Sequence, residues 1–142
     1  MHQTYPARFE ADDGAILVTF PDLPEAITGG ATEAEAVANA ADALEVALLT
    51  YLVDGRSLPA PGTHSGTRWI SIGAATAAKM AFIEAFNTSG LTRTALAAQL
   101  GKAENEVRRM LDPYHATKLP ALEAGLRAMG KKFVISVENI AA

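Results

Sequence analysis

TRTALAAQLGKAENEVRRML, residues 92–111, holds two short helical patterns broken at Gly101. In the first, Leu96, Ala97 and Leu100 fall on one side; in the second, Ala103, Val107, Met110 and Leu111 do the same. The pair reads as a helix-turn-helix, the unit that places its second helix in a DNA major groove. At about 100° per residue, the face opposite the second stripe carries Asn105, Arg108, Arg109 and Asp112. Two guanidinium groups and an amide just after a turn suit phosphates and base edges. The bland alternative is an amphipathic helical hairpin with a solvated charged face.

Charge is divided unevenly along the chain. Residues 1–62 hold ten acids and two bases, net −8, whereas residues 63–142 hold six acids and ten bases, net +4. Such asymmetry predicts a basic half suited to nucleic acid and an acidic half suited to a basic partner, although an acidic block also serves solubility alone. A pI near 5.3 excludes a protein that coats nucleic acid in bulk. The absence of cysteine excludes disulfides, a thiol nucleophile and cysteine-based zinc fingers. Met1 to Phe9 has neither a basic start nor an apolar run, so a cytoplasmic protein is expected. The most apolar stretch, Ala34 to Val53, is interrupted by Glu35, Asn39, Asp42 and Glu45, and no membrane span is expected.

Outward from the helical pair, the chain predicts an α+β protein of two parts. In residues 1–73, Tyr5, Ala7 and Phe9 alternate with polar neighbours, Asp13-Gly14 makes a turn, and Ile16, Val18 and Phe20 share a face. A loop over Pro21 to Pro24 leads to a short third strand at Ala26 to Thr28. Thr32 and Glu35 then form a capping box for a long helix whose stripe is Val37, Ala40, Ala41, Leu44, Leu48, Tyr51 and Leu52, ending near Gly55. Ser57 to Thr67 reads as an exposed loop, and Trp69 to Ile72 as a fourth strand, completing β-β-β-α-β. In residues 74–142, a helix with Ala78, Phe82, Ile83 and Phe86 inward precedes the helical pair. A loop at Asp112 to Thr117 and a helix through Leu119, Leu122, Leu126 and Met129 follow it. Phe133, Ile135 and Val137 alternate with Val134, Ser136 and Glu138 as a final strand, which needs a partner: the same strand of a second subunit, or its own chain.

Taken together, these halves resemble a known family. The opening Y-P-A strand, the D-G turn, V-T-F-P-D-L-P-E and G-x-T-x-x-E-A leading into the long helix are similar to the N-terminal domain of HicB-type antitoxins. The resemblance implies a reduced RNase H-like sheet that lacks catalytic carboxylates and blocks a small RNA-cleaving HicA toxin. Residues 91–130, with an L-A-x-x-L-G core, resemble the Xre/Cro class of helix-turn-helix, which in such antitoxins represses the toxin–antitoxin operon. Two departures stand out. Ala103 occupies the cap of the second helix, where Ser or Thr is usual, at a cost of about 1 kcal/mol. Glu104 and Glu106 open that helix, favouring its dipole while repelling phosphates.

These considerations mark Arg93 and Thr94 for phosphates, Asn105 for a base edge, and Arg108 and Arg109 for guanine or phosphate. Lys102 and Lys118 are expected to make backbone contacts, and Glu104 to accept from cytosine. Glu10, Asp12, Asp13, Asp22 and Glu25 are candidates for contact with a basic toxin, each weighed against a plain solvated charge. Phe133, Ile135 and Val137 would join subunits into a homodimer or higher oligomer. No cofactor or metal is expected, and no enzyme. Asp12, Asp13 and Asp22 could hold a metal as in RNase H-like nucleases, but paired acids beside a glycine usually make a turn. His2, His64 and His115 are scattered and read as exposed bystanders. The rival reading is a stand-alone repressor whose N-terminal part senses a ligand or another protein.

Overall fold

The alternation through Tyr5–Phe9 becomes an edge-to-edge antiparallel sheet in the computed structural model, which describes residues 3–139. β1 (Thr4–Asp12) pairs with β2 (Ala15–Thr19) around the Asp13-Gly14 turn, where both residues have positive φ, 48° and 83°. β3 (Ile27–Gly30) pairs with β2, and β4 (Arg68–Ser71) pairs with β1, giving the order β3-β2-β1-β4. The third strand lies slightly later than the apolar run suggested and the fourth begins one residue earlier, because register follows the partner strand rather than local composition.

One helix, α1 (Glu33–Val53), covers a single face of this sheet. Thr32 Oγ1 accepts from the Glu35 amide at 3.2 Å, satisfying one free donor at the helix start. Gly30 lets the first turn sit directly on the strand: a Cβ there would lie 2.6 Å from the Ala36 amide nitrogen. The helix is long and apolar enough on composition to cross a membrane, yet Leu44, Leu48, Leu49 and Leu52 are buried within the protein. Each contributes about 1.5–3 kcal/mol on burial, and they meet Tyr5, Ala7, Val18, Phe20 and Ile70 in a first core.

The remaining helices are α2 (Ala74–Ser89), α3 (Arg93–Leu100), α4 (Glu104–Leu111) and α5 (Leu119–Ala128). The apolar residues of α2 do not form one stripe serving one core. Ala77, Met80 and Ile83 complete the first core, while Phe82 and Ala85 join Leu96, Val107, Met110, Leu122 and Leu126 in a second. Leu111, at the end of α4, also packs partly against both. α2 is therefore a shared wall between the sheet and the helical bundle.

No strand forms over residues 131–139, in contrast to the alternation read from Phe133 to Val137. Phe133 turns onto the second core, while Val134, Ile135 and Val137 are 85%, 73% and 95% exposed. Strand-forming residues become a strand only when they join a ladder, and this segment joins neither open edge of the sheet, at β3 or at β4.

Candidate nucleic-acid interface and acidic face

The helical pair is built by caps that leave little freedom. Thr92 Oγ1 accepts from the Ala95 amide at 3.1 Å at the start of α3. At its end the Lys102 and Gly101 amides donate to Ala97 and Ala98 carbonyls at 3.0 and 3.3 Å, and Gly101 takes the left-handed conformation, φ 64°, that glycine tolerates best. The chain thus reverses within three residues and delivers α4 against α3 through Leu96, Val107 and Met110. Ala103 caps α4 without a side-chain hydrogen bond, as its methyl group dictates.

Asn105, Arg108 and Arg109 all lie exposed on α4, with Arg93 and Thr94 exposed at the start of α3. The acids of the first turn are internally engaged: the Thr94 hydroxyl donates to Glu104 at 3.3 Å, and Lys102 pairs with Glu106 at 3.6 Å. Glu104 is thus already held by Thr94, which weakens its case as a free acceptor for cytosine. Acids at the start and Arg108 and Arg109 at the end match the helix dipole. Lys118 caps α5 and is exposed, at the far side of the loop that leaves α4. Within that loop the Tyr114 amide donates to Asp112 Oδ1 at 2.9 Å.

Sequence reasoning missed Lys79. Its side chain is the one buried charged group among the described residues, 5% exposed. Nζ donates to the Met110 and Arg109 carbonyls at 2.8 and 3.3 Å and to Thr117 Oγ1 at 2.6 Å. A cation on α2 therefore closes the carboxyl end of α4 and ties down the following loop, where the dipole is negative. Burial pulls its pKa below the ordinary lysine value, against the opposing pull of Asp112. The available signal was a lone lysine in the apolar run Ala77 to Phe82.

The acidic candidates do not form one cluster. Glu10, Asp12 and Asp13 are exposed at the β1–β2 end. Asp22 is spoken for: Oδ2 accepts from the Gly62 amide at 2.9 Å and Oδ1 meets His64 Nε2 at 2.9 Å, with the carboxylate 14% exposed. Burial alone would raise the Asp22 pKa, but the Gly62 amide and His64 hold it below the ordinary value. His64 is consequently a half-buried latch on the 57–67 loop and no bystander, unlike exposed His115; His2 lies outside the described residues. Glu25 accepts from the Tyr51 hydroxyl at 3.0 Å and pairs with Arg56 at 3.6 Å, and that guanidinium stacks over the Tyr51 ring. Among the described residues no group of three or more His, Asp or Glu side chains is placed to hold a metal ion.

The sequence that builds these sites is similar to known proteins. Residues 4–81 fit the family described as HicB_like antitoxin of bacterial toxin-antitoxin system. The Photorhabdus laumondii protein Antitoxin HicB 2 is 38% identical over 127 residues, covering 89% of this chain and 91% of that protein. Antitoxin HicB of Escherichia coli K12 is 37% identical over 123 residues, 86% of this chain and 89% of its own. Antitoxin HicB 1 of the same Photorhabdus strain is 36% identical over 135 residues, covering 94% and 86% respectively. These spans are longer than the 4–81 match, so similarity continues into the helical half.

Proposed function

Because the chain belongs to the HicB-like antitoxin family of bacterial toxin–antitoxin systems, we propose that it acts twice on one system in the cytoplasm. Its N-terminal part, residues 1–73, covers a small, basic, RNA-cleaving toxin of the HicA type. Its C-terminal part, residues 74–142, binds operator DNA and represses the toxin–antitoxin operon. The reaction chemistry belongs to the toxin; this chain acts by occlusion and by occupying DNA. The observation that carries the DNA half is the capped turn at Gly101, which sets α4 against α3 with Asn105, Arg108 and Arg109 outward. The net charge of −8 over residues 1–62 supports capture of a basic toxin, since opposite potentials speed encounter.

Two copies are needed for a palindromic operator, with half-sites about one helical turn, or a multiple, apart. The tail offers the joint. Ile135 and Val137 are exposed and unpaired, while Phe133 anchors the segment to its own bundle. An antiparallel pair of such tails would satisfy both backbones and bury those side chains.

Purification of the chain from its native host, followed by mass identification and operator-binding assays, tests the proposal. The expected result is a stoichiometric small basic protein that cleaves RNA once stripped away, together with salt-sensitive DNA binding. Asn105→Ala is expected to alter sequence preference, and Lys102→Ala to weaken all sequences and flatten the salt slope by about one unit. Specific DNA binding with no basic companion would instead make the chain a stand-alone repressor.

A further inference from the structure

We propose that the groove between β3 and the outer flank of α1 is the seat of the toxin, and that it receives an extended segment carrying a basic and an apolar side chain. This rests on the reading of the chain as the antitoxin of a basic toxin. The groove has a volume of about 390 Å3 and runs between Ile27 and Thr28 on one wall and Asn39, Asp42 and Val46 on the other. Ile27 and Val46 are 63% and 65% exposed, two aliphatic side chains left uncovered on opposite walls.

β3 ends the sheet and is paired on one side only. Asn39 Nδ2, on the facing wall, donates to the Gly29 carbonyl at 2.8 Å and so fixes α1 against the end of this strand. An edge strand beside an apolar trough is the arrangement that accepts an added strand, with main-chain bonds for affinity and side-chain pockets for specificity. Charge decides the kind of occupant. α1 carries Glu33, Glu35, Asp42 and Glu45 and no lysine or arginine. Glu25, at the other end of the groove, is already neutralised by Arg56. Asp42 is exposed and makes no ion pair among the described residues, so it is the open anionic contact for an incoming Lys or Arg.

The site is confined to one edge of the sheet, and that gives the experiment its control. The probe is the small basic protein that co-purifies with this chain, titrated against the full-length wild type and against Ile27→Glu, Val46→Glu, Asp42→Lys and Ser65→Lys. Each altered residue is exposed, and operator binding together with thermal unfolding reports that each variant is folded. The expected result is at least tenfold weaker toxin binding for the three groove variants, with Ser65→Lys within twofold of wild type. The Asp42→Lys loss should also shrink as salt rises. Groove variants that bind the toxin within twofold of wild type, or that instead change the oligomeric state while leaving toxin binding intact, would overturn the proposal. A wild-type chain that binds no basic protein would remove the antitoxin reading itself, an outcome separate from failure of the groove.

Discussion

Replacing Lys79 by Met keeps an unbranched chain of similar length and removes the ammonium, which isolates its electrostatic part. Two opposing effects follow. The wild-type protein bears the cost of burying a cation, seen in the lowered Lys79 pKa, and Met is free of that cost. Against this, three acceptors lose the ammonium: the Arg109 and Met110 carbonyls and the Thr117 hydroxyl, at 3.3, 2.8 and 2.6 Å. Hydrogen bonds to a charged group contribute about 1.5–3 kcal/mol each; the Arg109 carbonyl keeps the Asp112 amide at 3.2 Å, whereas the Met110 carbonyl, at the end of α4, has the ammonium as its donor. The acceptor loss outweighs the relief, for a net destabilisation of about 2–3 kcal/mol. That corresponds to a fall in melting temperature on the order of 5–10 °C. Thermal unfolding followed by circular dichroism reads this directly, with Thr117→Val as a milder companion that removes one acceptor only. A Lys79→Met protein that melts within a degree of wild type, or above it, would refute the reasoning and make Lys79 a replaceable filler.

Tyr5 donates to the Pro59 carbonyl at 2.6 Å, and its pKa is pushed up to about 12, first by burial and then by the charges of Glu84 and Asp22. The folded state holds that proton more tightly than the unfolded one, so its stabilisation is complete below pH ~10 and vanishes as pH rises through about 12. Tyr5→Phe is expected to flatten the alkaline limb of stability measured by denaturant titration; an unchanged limb would assign it elsewhere. Asp22 behaves in the opposite sense: its folded pKa is depressed, so its stabilisation holds above the unfolded value of 3.8 and is lost as pH falls through the lower folded value. In Asp22→Ala, hydrogen exchange at the Gly62 amide, which donates to that carboxylate, should approach the unprotected rate; retained protection would show that the loop is held by other bonds. Gly125→Ala would drive a methyl group into the Phe82 ring, at a cost of about 1–3 kcal/mol. A variant as heat-stable as wild type would show that the ring moves aside freely.

Local signals were readable wherever chemistry and geometry coincide within a few residues. The Asp13-Gly14 turn, the Thr32 cap and the Gly101 reversal are each specified by neighbours in the chain, and the structure places them where the sequence predicts. Relations across distance were not readable. Asp22 and His64 lie 42 positions apart, so nothing local distinguishes a latch from two solvated side chains. In α2, Phe82 and Ile83 are adjacent and both apolar, and periodicity cannot reveal that they enter different cores. Lys79 looked like an interruption in an apolar helix because its acceptors lie 30 or more positions away. Of the candidate site, the outward residues of α4 follow from helical phase alone, whereas the edge of β3 as a groove wall required knowing which strands lie outermost.

The helix α2, walled into both cores, has a genetic consequence. A screen for mutants that fail to silence the toxin and a screen for mutants that fail to silence the operon would ordinarily return separate sets of positions. Here Ala77, Met80 and Ile83 on one flank and Phe82 and Ala85 on the other sit within nine residues of each other, on one rigid rod. Lesions along that rod should surface in both screens. The two proposed duties would then be free to diverge in evolution at their surfaces, but not at the beam that joins them.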